Sequence, residues 1–231
     1  MVQALGRAKE LGFLGPGPLW LQVSHSQGFA RCLEELTGIG TSTEDPGALQ
    51  PATFLDLGSG GGVPGLVLAG AWCSSRAVLL DSSLRRTRFL EEVVRDLRWL
   101  GRVEAIRARA EVAGRADRLR SSFDLVVARG FASPAVTAEC AAPFLKQDGL
   151  LIVSEPPSSE GELRQTGDLE AGSREASDPK RWPAEGLGRL GLEPLCVFRG
   201  DFGYEVLRQV APCPERFPRR EGIPRKRPLY R

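Results

Sequence analysis

Residues 54–65 read Phe54-Leu55-Asp56-Leu57-Gly58-Ser59-Gly60-Gly61-Gly62-Val63-Pro64-Gly65. An apolar run containing one acidic residue passes here into five glycines within eight residues. Glycines adopt positive φ and let the backbone approach a ligand closely, and a helix that follows them offers free N–H groups. The stretch therefore predicts a strand, a tight turn and a helix, which together form a nucleotide-type pocket.

Further apolar runs alternate with stretches of helical period along the middle of the chain. Ser82 or Ser83 can cap the first long helix, and Pro134 is tolerated in the first turn of the next. The alternation predicts right-handed crossovers and a parallel sheet covered on both faces, an α/β Rossmann-like sandwich. The predicted strands are Thr53–Leu57, Ala77–Asp81, Val103–Arg107, Phe123–Arg129 and Leu150–Ser154, and the helices are Leu84–Leu100 and Pro134–Leu145.

The flanking regions have a different character. Leu192–Phe198 and Tyr204–Val210 are apolar runs around a glycine-containing loop, which predicts a C-terminal antiparallel hairpin. Pro156–Pro179 is rich in Pro, Ser, Gly and acidic residues and is interpreted as a loop or partly ordered insertion. The first 50 residues contain a predicted helix at Ser26–Leu36 and a linker at Gly38–Pro51. The predicted division is an N-terminal helical extension (1–50), a central domain (51–212) and a basic tail (213–231).

Composition limits the class of protein. The 231 residues are 42% hydrophobic and 26% charged, an ordinary globular mixture. The longest nearly apolar run, Gly65–Cys73, falls well short of the roughly 20 residues of a membrane span, and the first 30 residues lack the order of a signal peptide. Five scattered cysteines and a single histidine, His25, exclude the usual zinc spacings and favour reduced thiols. We therefore expect a cytoplasmic protein with no membrane segment and no metal.

Charge is distributed unevenly. The chain has 31 basic and 29 acidic residues, yet the segment from Glu215 onward contains seven basic and two acidic ones. Such a cluster is suited to phosphate binding along an RNA backbone, although a solvated, flexible end remains the alternative. The cations predicted to contact RNA are Arg216, Arg219, Arg220, Arg225, Lys226 and Arg227.

The glycine turn bears on the choice of cofactor. Gly60, Gly62 and Gly65 satisfy the dinucleotide pattern, and Asp81 follows about 20 residues later, where it can hold ribose hydroxyls or cap the next helix. Asp56, two residues before Gly58, favours S-adenosylmethionine over a nicotinamide cofactor. A carboxylate there can help to hold the cationic methionine end, whereas a pyrophosphate would gain nothing from it.

At this point the sequence resembles the RsmG (GidB) family, class I methyltransferases that modify guanine N7 in bacterial 16S ribosomal RNA. The resemblance rests on the run from Asp56 to Gly65 and on four further matches in chain order. These are Leu80-Asp81-Ser82 with Arg86 and Arg88-Phe89-Leu90, Arg109-Ala110-Glu111, Phe123-Asp124 with Ala128-Arg129-Gly130-Phe131-Ala132, and Phe217-Pro218-Arg219-Arg220 with Gly222, Pro224, Lys226 and Pro228-Leu229.

The resemblance implies a class I methyltransferase fold, S-adenosylmethionine as cofactor, and 16S rRNA or the small ribosomal subunit as partner. Two departures concern the substrate side: Ser154-Glu155-Pro156-Pro157 stands where the family usually has Lys-Gly, and the N-terminal Trp, Asn and His segments are not clearly present. The cofactor-binding residues predicted from the turn and from the resemblance are Asp56, Gly58, Gly60, Gly62, Val63, Asp81, Ala110, Glu111 and Arg129.

No catalytic residue is predicted. Guanine N7 is an exposed lone pair without a proton, so its attack on a sulfonium methyl needs alignment rather than a general base. Arg129 is expected to contact the cofactor or the target base, with a surface ion pair as the alternative. Two other functions remain open: a class I methyltransferase acting on a small molecule or protein, and a relative that binds RNA without catalysis.

Overall fold

The computed structural model describes residues 1–37, 50–156 and 173–230, and within them a single mixed sheet organises the chain. Its strands are β1 (Thr53–Leu57), β2 (Arg76–Asp81), β3 (Val103–Arg107), β4 (Phe123–Ala128), β5 (Leu145–Glu155), β6 (Ser173–Glu175), β7 (Leu192–Arg199) and β8 (Gly203–Gln209). Their order across the sheet is β3-β2-β1-β4-β5-β8-β7-β6.

Strands β1 to β5 run parallel, so their carboxyl ends lie along one edge of the sheet. Leu57 is in register with Leu80 of β2 and with Ala128 of β4, and Ala128 with Val153 of β5. β5 and β8 and the hairpin of β7 and β8 pair antiparallel. The predicted α/β sandwich with a closing hairpin is confirmed, and the edge formed by these carboxyl ends is where open α/β sheets bind ligands.

Helices cover both faces of the sheet. They are α1 (Val2–Glu10), α2 (Leu19–Thr37), α3 (Gly65–Ala71), α4 (Leu84–Asp96), α5 (Ala110–Ala113), α6 (Pro134–Ala141), α7 (Ala184–Gly188) and α8 (Ile223–Lys226). Alternate residues of β1 divide the core: Phe54 packs with α1–α4 on one face, and Leu55 and Leu57 pack with α5, α6 and the C-terminal segment on the other. In the described part of the chain no helix is both long and apolar enough to cross a membrane.

Strand and helix boundaries deviate from the prediction where local backbone geometry intervenes. α4 begins at Leu84 with Ser83 as its cap, but it ends at Asp96 instead of Leu100 because Arg98 adopts a positive φ of 58°. β5 begins five residues earlier than predicted. After Leu145 come Lys146, Gln147 and Asp148, which are polar, and a register shift against β4, with Asp148 at φ 63°, so the apolar pattern marks only the second half of the strand.

The N-terminal region packs on the sheet. α2 spans 19 residues and is longer than the predicted Ser26–Leu36 helix, and α1 was not predicted. Phe29 of α2 is fully buried and stacks edge-on against Tyr204 of β8, whose hydroxyl donates to the His25 carbonyl oxygen at 2.6 Å. A side chain at Gly28 would overlap that hydroxyl. The linker at 38–51 falls almost wholly outside the described residues, and the three-part division of the chain stays a prediction.

The C-terminal segment is folded against the body of the protein, unlike the solvated, flexible end considered from the sequence. Phe217 is buried in the core, and Arg120 donates to the carbonyl oxygens of Cys213, Pro214 and Phe217. Arg219 forms two hydrogen bonds from its guanidinium and one from its backbone N–H to Glu139 of α6, a side chain with no solvent exposure. The cysteines are free, as the sequence indicated.

Replacing Arg219 by alanine should destabilise the fold by about 3 kcal/mol, because it leaves the Glu139 carboxylate buried without its partner. The free energy of unfolding, measured by urea denaturation, is the appropriate observable. Arg225→Ala, which removes an exposed tail cation, is the matched control and should change stability by less than about 0.5 kcal/mol. Combining Arg219→Met with Glu139→Leu should recover much of the loss. Equal losses of stability in Arg219→Ala and Arg225→Ala would contradict the assigned buried pair of Arg219 and Glu139.

Candidate functional site

The turn after β1 holds its shape through glycine conformations and backbone hydrogen bonds. Gly58, Gly60 and Gly62 have φ values of +81°, +55° and +95°. The backbone N–H groups of Gly58 and Ser59 both donate to the Leu80 carbonyl oxygen of β2, at 2.8 and 3.0 Å. A Cβ atom at Gly58 would lie 2.7 Å from the ring of Phe131, so the turn has no room for a side chain there.

Asp56 joins the two ends of this turn. Its Oδ2 atom accepts the backbone N–H of Gly65 at 2.9 Å, at the start of α3, while its Oδ1 atom is buried and has no partner among the described residues. Burial raises the pKa of the Asp56 carboxyl to about 7, since the hydrogen bond from the Gly65 N–H offsets only part of the lost hydration. Asp56 thus has one oxygen committed to structure and one available.

Asp81, the last residue of β2, connects the same turn to the following helix. Its Oδ2 atom accepts the Gly60 N–H at 2.9 Å and its Oδ1 atom the Ser83 N–H at 2.8 Å. Since Ser83 is the residue that caps α4, Asp81 is not the helix cap considered from the sequence. A carboxylate oxygen accepts two hydrogen bonds, so each oxygen of Asp81 retains capacity for a hydroxyl group.

Arg129 follows β4 and is held by a residue that the sequence did not suggest. One Nη2 hydrogen bond goes to Oε1 of Gln22 in α2, and Gln22 in turn donates to the Pro16 carbonyl oxygen at 3.2 Å. The Nη1 atom of Arg129 is buried without a partner in the described residues. The ion pair considered from the sequence is therefore absent there, and no sequence pattern links Gln22 to a position 107 residues away.

His25 lies one turn further along α2. Burial, and to a lesser degree the charge of Arg129, lowers the pKa of His25 to about 3, so its ring is neutral at physiological pH. Its Nδ1 atom is a third buried polar atom for which the described residues supply no partner, after Asp56 Oδ1 and Arg129 Nη1. The positive charge of Arg129 acts to lower the pKa of both Asp56 and His25, so the three groups form one electrostatic cluster.

The other predicted contacts lie around this centre. Val63 is half-buried in the turn, and a Cβ at Gly62 would overlap the Leu66 side chain. Ala110 and Glu111 begin α5 beyond the end of β3, both buried, and Glu111 accepts the Gly222 N–H of the C-terminal segment at 3.0 Å. The glycine turn, Asp56 and Asp81 are thus joined directly by hydrogen bonds, whereas Glu111 is tied to the C-terminal segment.

A cleft of about 320 Å³ opens beside Arg129, at the carboxyl ends of β4 and β5. Phe131 contacts the glycine turn on one side and lines this cleft on the other. Glu155, Arg181 and Trp182 line another part of its wall. No cluster of three or more potential metal ligands occurs within residues 1–37, 50–156 and 173–230.

Comparison with known proteins gives this arrangement a family. The family model for rRNA small subunit methyltransferase G (GidB) matches residues 41–176, more than half of the chain. The protein belongs to the GidB family. The resemblance inferred from the motifs is confirmed, and with it the class of enzyme, a methyltransferase.

Named relatives agree. The ribosomal RNA small subunit methyltransferase G of Parasynechococcus marenigrum is 35% identical over 183 residues, 78% of this chain and 68% of that protein. The enzyme of the same name from Thermotoga neapolitana is 37% identical over 180 residues, 77% of this chain and 71% of that protein. A solved structure of a candidate O-methyltransferase from Klebsiella pneumoniae aligns with a TM-score of 0.54 at 14% identity, covering 90% of this chain and 89% of that one, which supports the fold.

Replacing Asp56 by asparagine should change how stability depends on pH. The pKa of Asp56 is higher in the folded than in the unfolded chain, so its favourable contribution is complete below pH 4 and is lost as the pH rises through 7. Asparagine keeps an oxygen for the Gly65 N–H without ionising. The variant should therefore gain stability over the parent between pH 5 and 8, by roughly 1–4 kcal/mol at pH 8.

Thermal or urea unfolding of the ligand-free protein at several pH values measures this difference. Asp124→Asn is a suitable control, because hydrogen bonds from Lys146 and Thr53 lower the pKa of Asp124 despite its partial burial. That variant should lose stability relative to the parent as the pH rises through the acidic range. A pH-independent difference between Asp56→Asn and the parent would contradict the assigned pKa.

Proposed function

We propose that this GidB-family protein transfers a methyl group from S-adenosylmethionine to N7 of a guanine in 16S ribosomal RNA. The observation that carries the proposal is the pair of unpartnered buried atoms, Asp56 Oδ1 and Arg129 Nη1, beside a glycine turn in a member of this family. Two buried groups of opposite charge type, each with one polar atom that no described residue satisfies, fit a zwitterionic ligand, because a counter-charge would offset their lost hydration.

The residues present fit the methyl donor part by part. Asp56 would face the ammonium group of the methionine end, and Arg129 its carboxylate. Asp81 retains the acceptor capacity to hold ribose hydroxyls, and Ala110 and Glu111 would flank the adenine. The backbone of the turn would line the remaining surface through Gly58, Gly60, Gly62 and Val63.

The chemistry requires little of the protein beyond orientation. S-adenosylmethionine supplies a methyl group on a positively charged sulfur, and guanine N7 supplies a lone pair without a proton to remove. Phe131, placed between the glycine turn and the cleft, would keep the acceptor in line with the donor and exclude water. Orientation of this kind is worth roughly 7–11 kcal/mol of barrier. A neutral, buried His25 is consistent with a reaction that needs no base.

The RNA partner is proposed to contact the folded C-terminal segment. The side chains of Arg216, Arg220, Arg225, Lys226 and Arg227 are exposed on it. Arg219 was also predicted to contact RNA, but its guanidinium is bound to Glu139, so its main contribution here is to hold the segment in place. The exposed cations are therefore displayed on a fixed surface.

Incubation with S-adenosylmethionine labelled in its methyl group should label purified small subunits lacking the modification, and nucleoside digestion should yield 7-methylguanosine. At saturating donor the rate of the chemical step should be nearly constant from about pH 6 to 9, since N7 loses no proton. A rate that rises with pH would indicate an amine or hydroxyl acceptor. Labelled product at another atom, or only on a small molecule or protein, would refute the assignment.

Neutralising the exposed tail cations should weaken RNA binding and make it less sensitive to salt. A variant with glutamine at Arg220, Arg225 and Arg227 loses up to three phosphate contacts, each worth roughly 0.7 to 0.9 in the slope of log affinity against log salt. Binding to 16S rRNA between 50 and 200 mM salt is the measurement. Truncation is unsuitable, because it would also remove Phe217 from the core. A slope equal to that of the parent would show that the segment does not contact RNA.

A further inference from the structure

Glu155, the last residue of β5, organises a small buried cluster in the wall of the cleft. Its side chain is 3% exposed. One carboxylate oxygen accepts the indole N–H of Trp182 at 3.1 Å, and the other accepts the Nε–H of Arg181. Trp182 itself is 1% exposed and packed in the core. The bond from Trp182 holds the Glu155 carboxylate in place, and the carboxylate in turn holds the Nε atom of Arg181. The buried core therefore sets the direction of the Arg181 guanidinium group.

Arg181 is one of the residues that line two separate cavities. It lines the cleft of about 320 Å³ with Arg129 and Phe131, and it also lines a cavity of about 530 Å³ with Lys180 and Tyr230. The Arg181 side chain is 38% exposed, whereas the side chains that hold it are buried. Arg181 thus reaches solvent at the 320 Å³ cleft, called the inner cleft below, whereas Arg129 lines the same cleft with its Nη1 atom buried.

The charges that line these cavities favour a phosphate at Arg181. The cavity linings contain three cations, Arg129, Lys180 and Arg181, and two carboxylates, Glu155 and Asp178. Glu155 is engaged with Arg181, and nearby Glu205 adds little negative charge, because burial raises its pKa to about 8. Asp178 uses one oxygen to accept the backbone N–H of Lys180 at 2.9 Å. Glu155 binds Arg181 through its Nε atom, so the remaining nitrogens of the guanidinium group can offer a phosphate the planar fork that matches its oxygens.

We propose that Arg181, oriented by Glu155 and Trp182, binds the backbone phosphate of the nucleotide whose guanine occupies the inner cleft. This inference rests on the proposed function, and it assigns Arg181 to substrate binding and Glu155 to positioning. Extruded bases are held by stacking on aromatic and apolar side chains, for which Phe131 is placed, and the phosphate of such a nucleotide remains outside the pocket. The exposed Arg181 guanidinium group is placed to bind that phosphate.

The test compares Arg181→Ala, Arg181→Lys and Glu155→Gln with the parent. Arg181→Ala should raise the KM for unmodified small subunits about tenfold or more, as expected for the loss of a charge-assisted hydrogen bond. Its slope of log affinity for 16S rRNA against log salt should fall by about 0.7 to 0.9, one phosphate contact. Arg181→Lys should restore the slope but only part of the KM, since the fork is lost.

Glu155→Gln separates positioning from charge. Its amide oxygen can accept from only one side while its NH₂ group faces the other donor, so the Arg181 guanidinium loses its fixed direction. We expect a raised KM with the salt slope of the parent. Arg208→Ala is the matched control, because Arg208 is similarly exposed and paired with Glu193 but lies in register with Leu150, away from this end of β5. It should behave as the parent in both measurements.

The affinity for S-adenosylmethionine, measured by calorimetry, should be within twofold of the parent value in every variant. An Arg181→Ala protein with unchanged KM and slope would overturn the inference while leaving the proposed methyl transfer in place. A parallel loss of donor affinity would also overturn it, since that would indicate a general disturbance of the fold. If the parent labels no rRNA but does label another acceptor, the proposed function fails, and the Arg181 assignment fails with it.

Discussion

The hydrogen bond from the Gly65 backbone N–H to Asp56 Oδ2 is the contact on which the site depends. It ties the end of β1 to the start of α3 across the glycine turn, and it requires a carboxylate to be buried. Burial of a carboxylate is unfavourable unless its oxygens are satisfied. The chain satisfies one oxygen with its own backbone and leaves the other without a protein partner, so the fold carries a cost that a cationic ligand would offset.

Buried carboxylates also hold the C-terminal segment, on the opposite side of the sheet. Two buried carboxylates, Glu111 and Glu139, hold it through the Gly222 N–H and through Arg219. These contacts hold the basic C-terminal segment in a fixed position beside α5 and α6. Glu111 is also a proposed adenine contact, so in that proposal one side chain would serve both donor binding and the placement of the exposed tail cations.

The sequence predicted the central fold closely, since buried parallel strands and an amphipathic helix leave periodic apolar patterns. β1 and β3 have the predicted boundaries, and Gly58, Gly60 and Gly62 adopt the positive φ values that the glycine-rich turn indicated. Other features left no local pattern. β6 is three exposed polar residues, and Gln22 reaches Arg129 only after α2 has folded across the sheet. The pairing of Arg219 with Glu139 was equally hidden, because a buried glutamate in a short helix looks like any other surface acid in a sequence.

The attachment of α2 to Tyr204 has a consequence for biosynthesis. Gln22, which holds Arg129, belongs to a helix made early in translation, yet that helix packs against a strand made about 180 residues later, through the Tyr204 hydroxyl and the His25 carbonyl. Glu111 and Glu139 likewise obtain their hydrogen-bond partners only after residues 219–222 have been synthesised. The nascent chain therefore cannot assemble the complete pocket until residues 204–222 have left the ribosome. Completion of the site is therefore late relative to the synthesis of α2, and α2 must remain free of wrong partners until then.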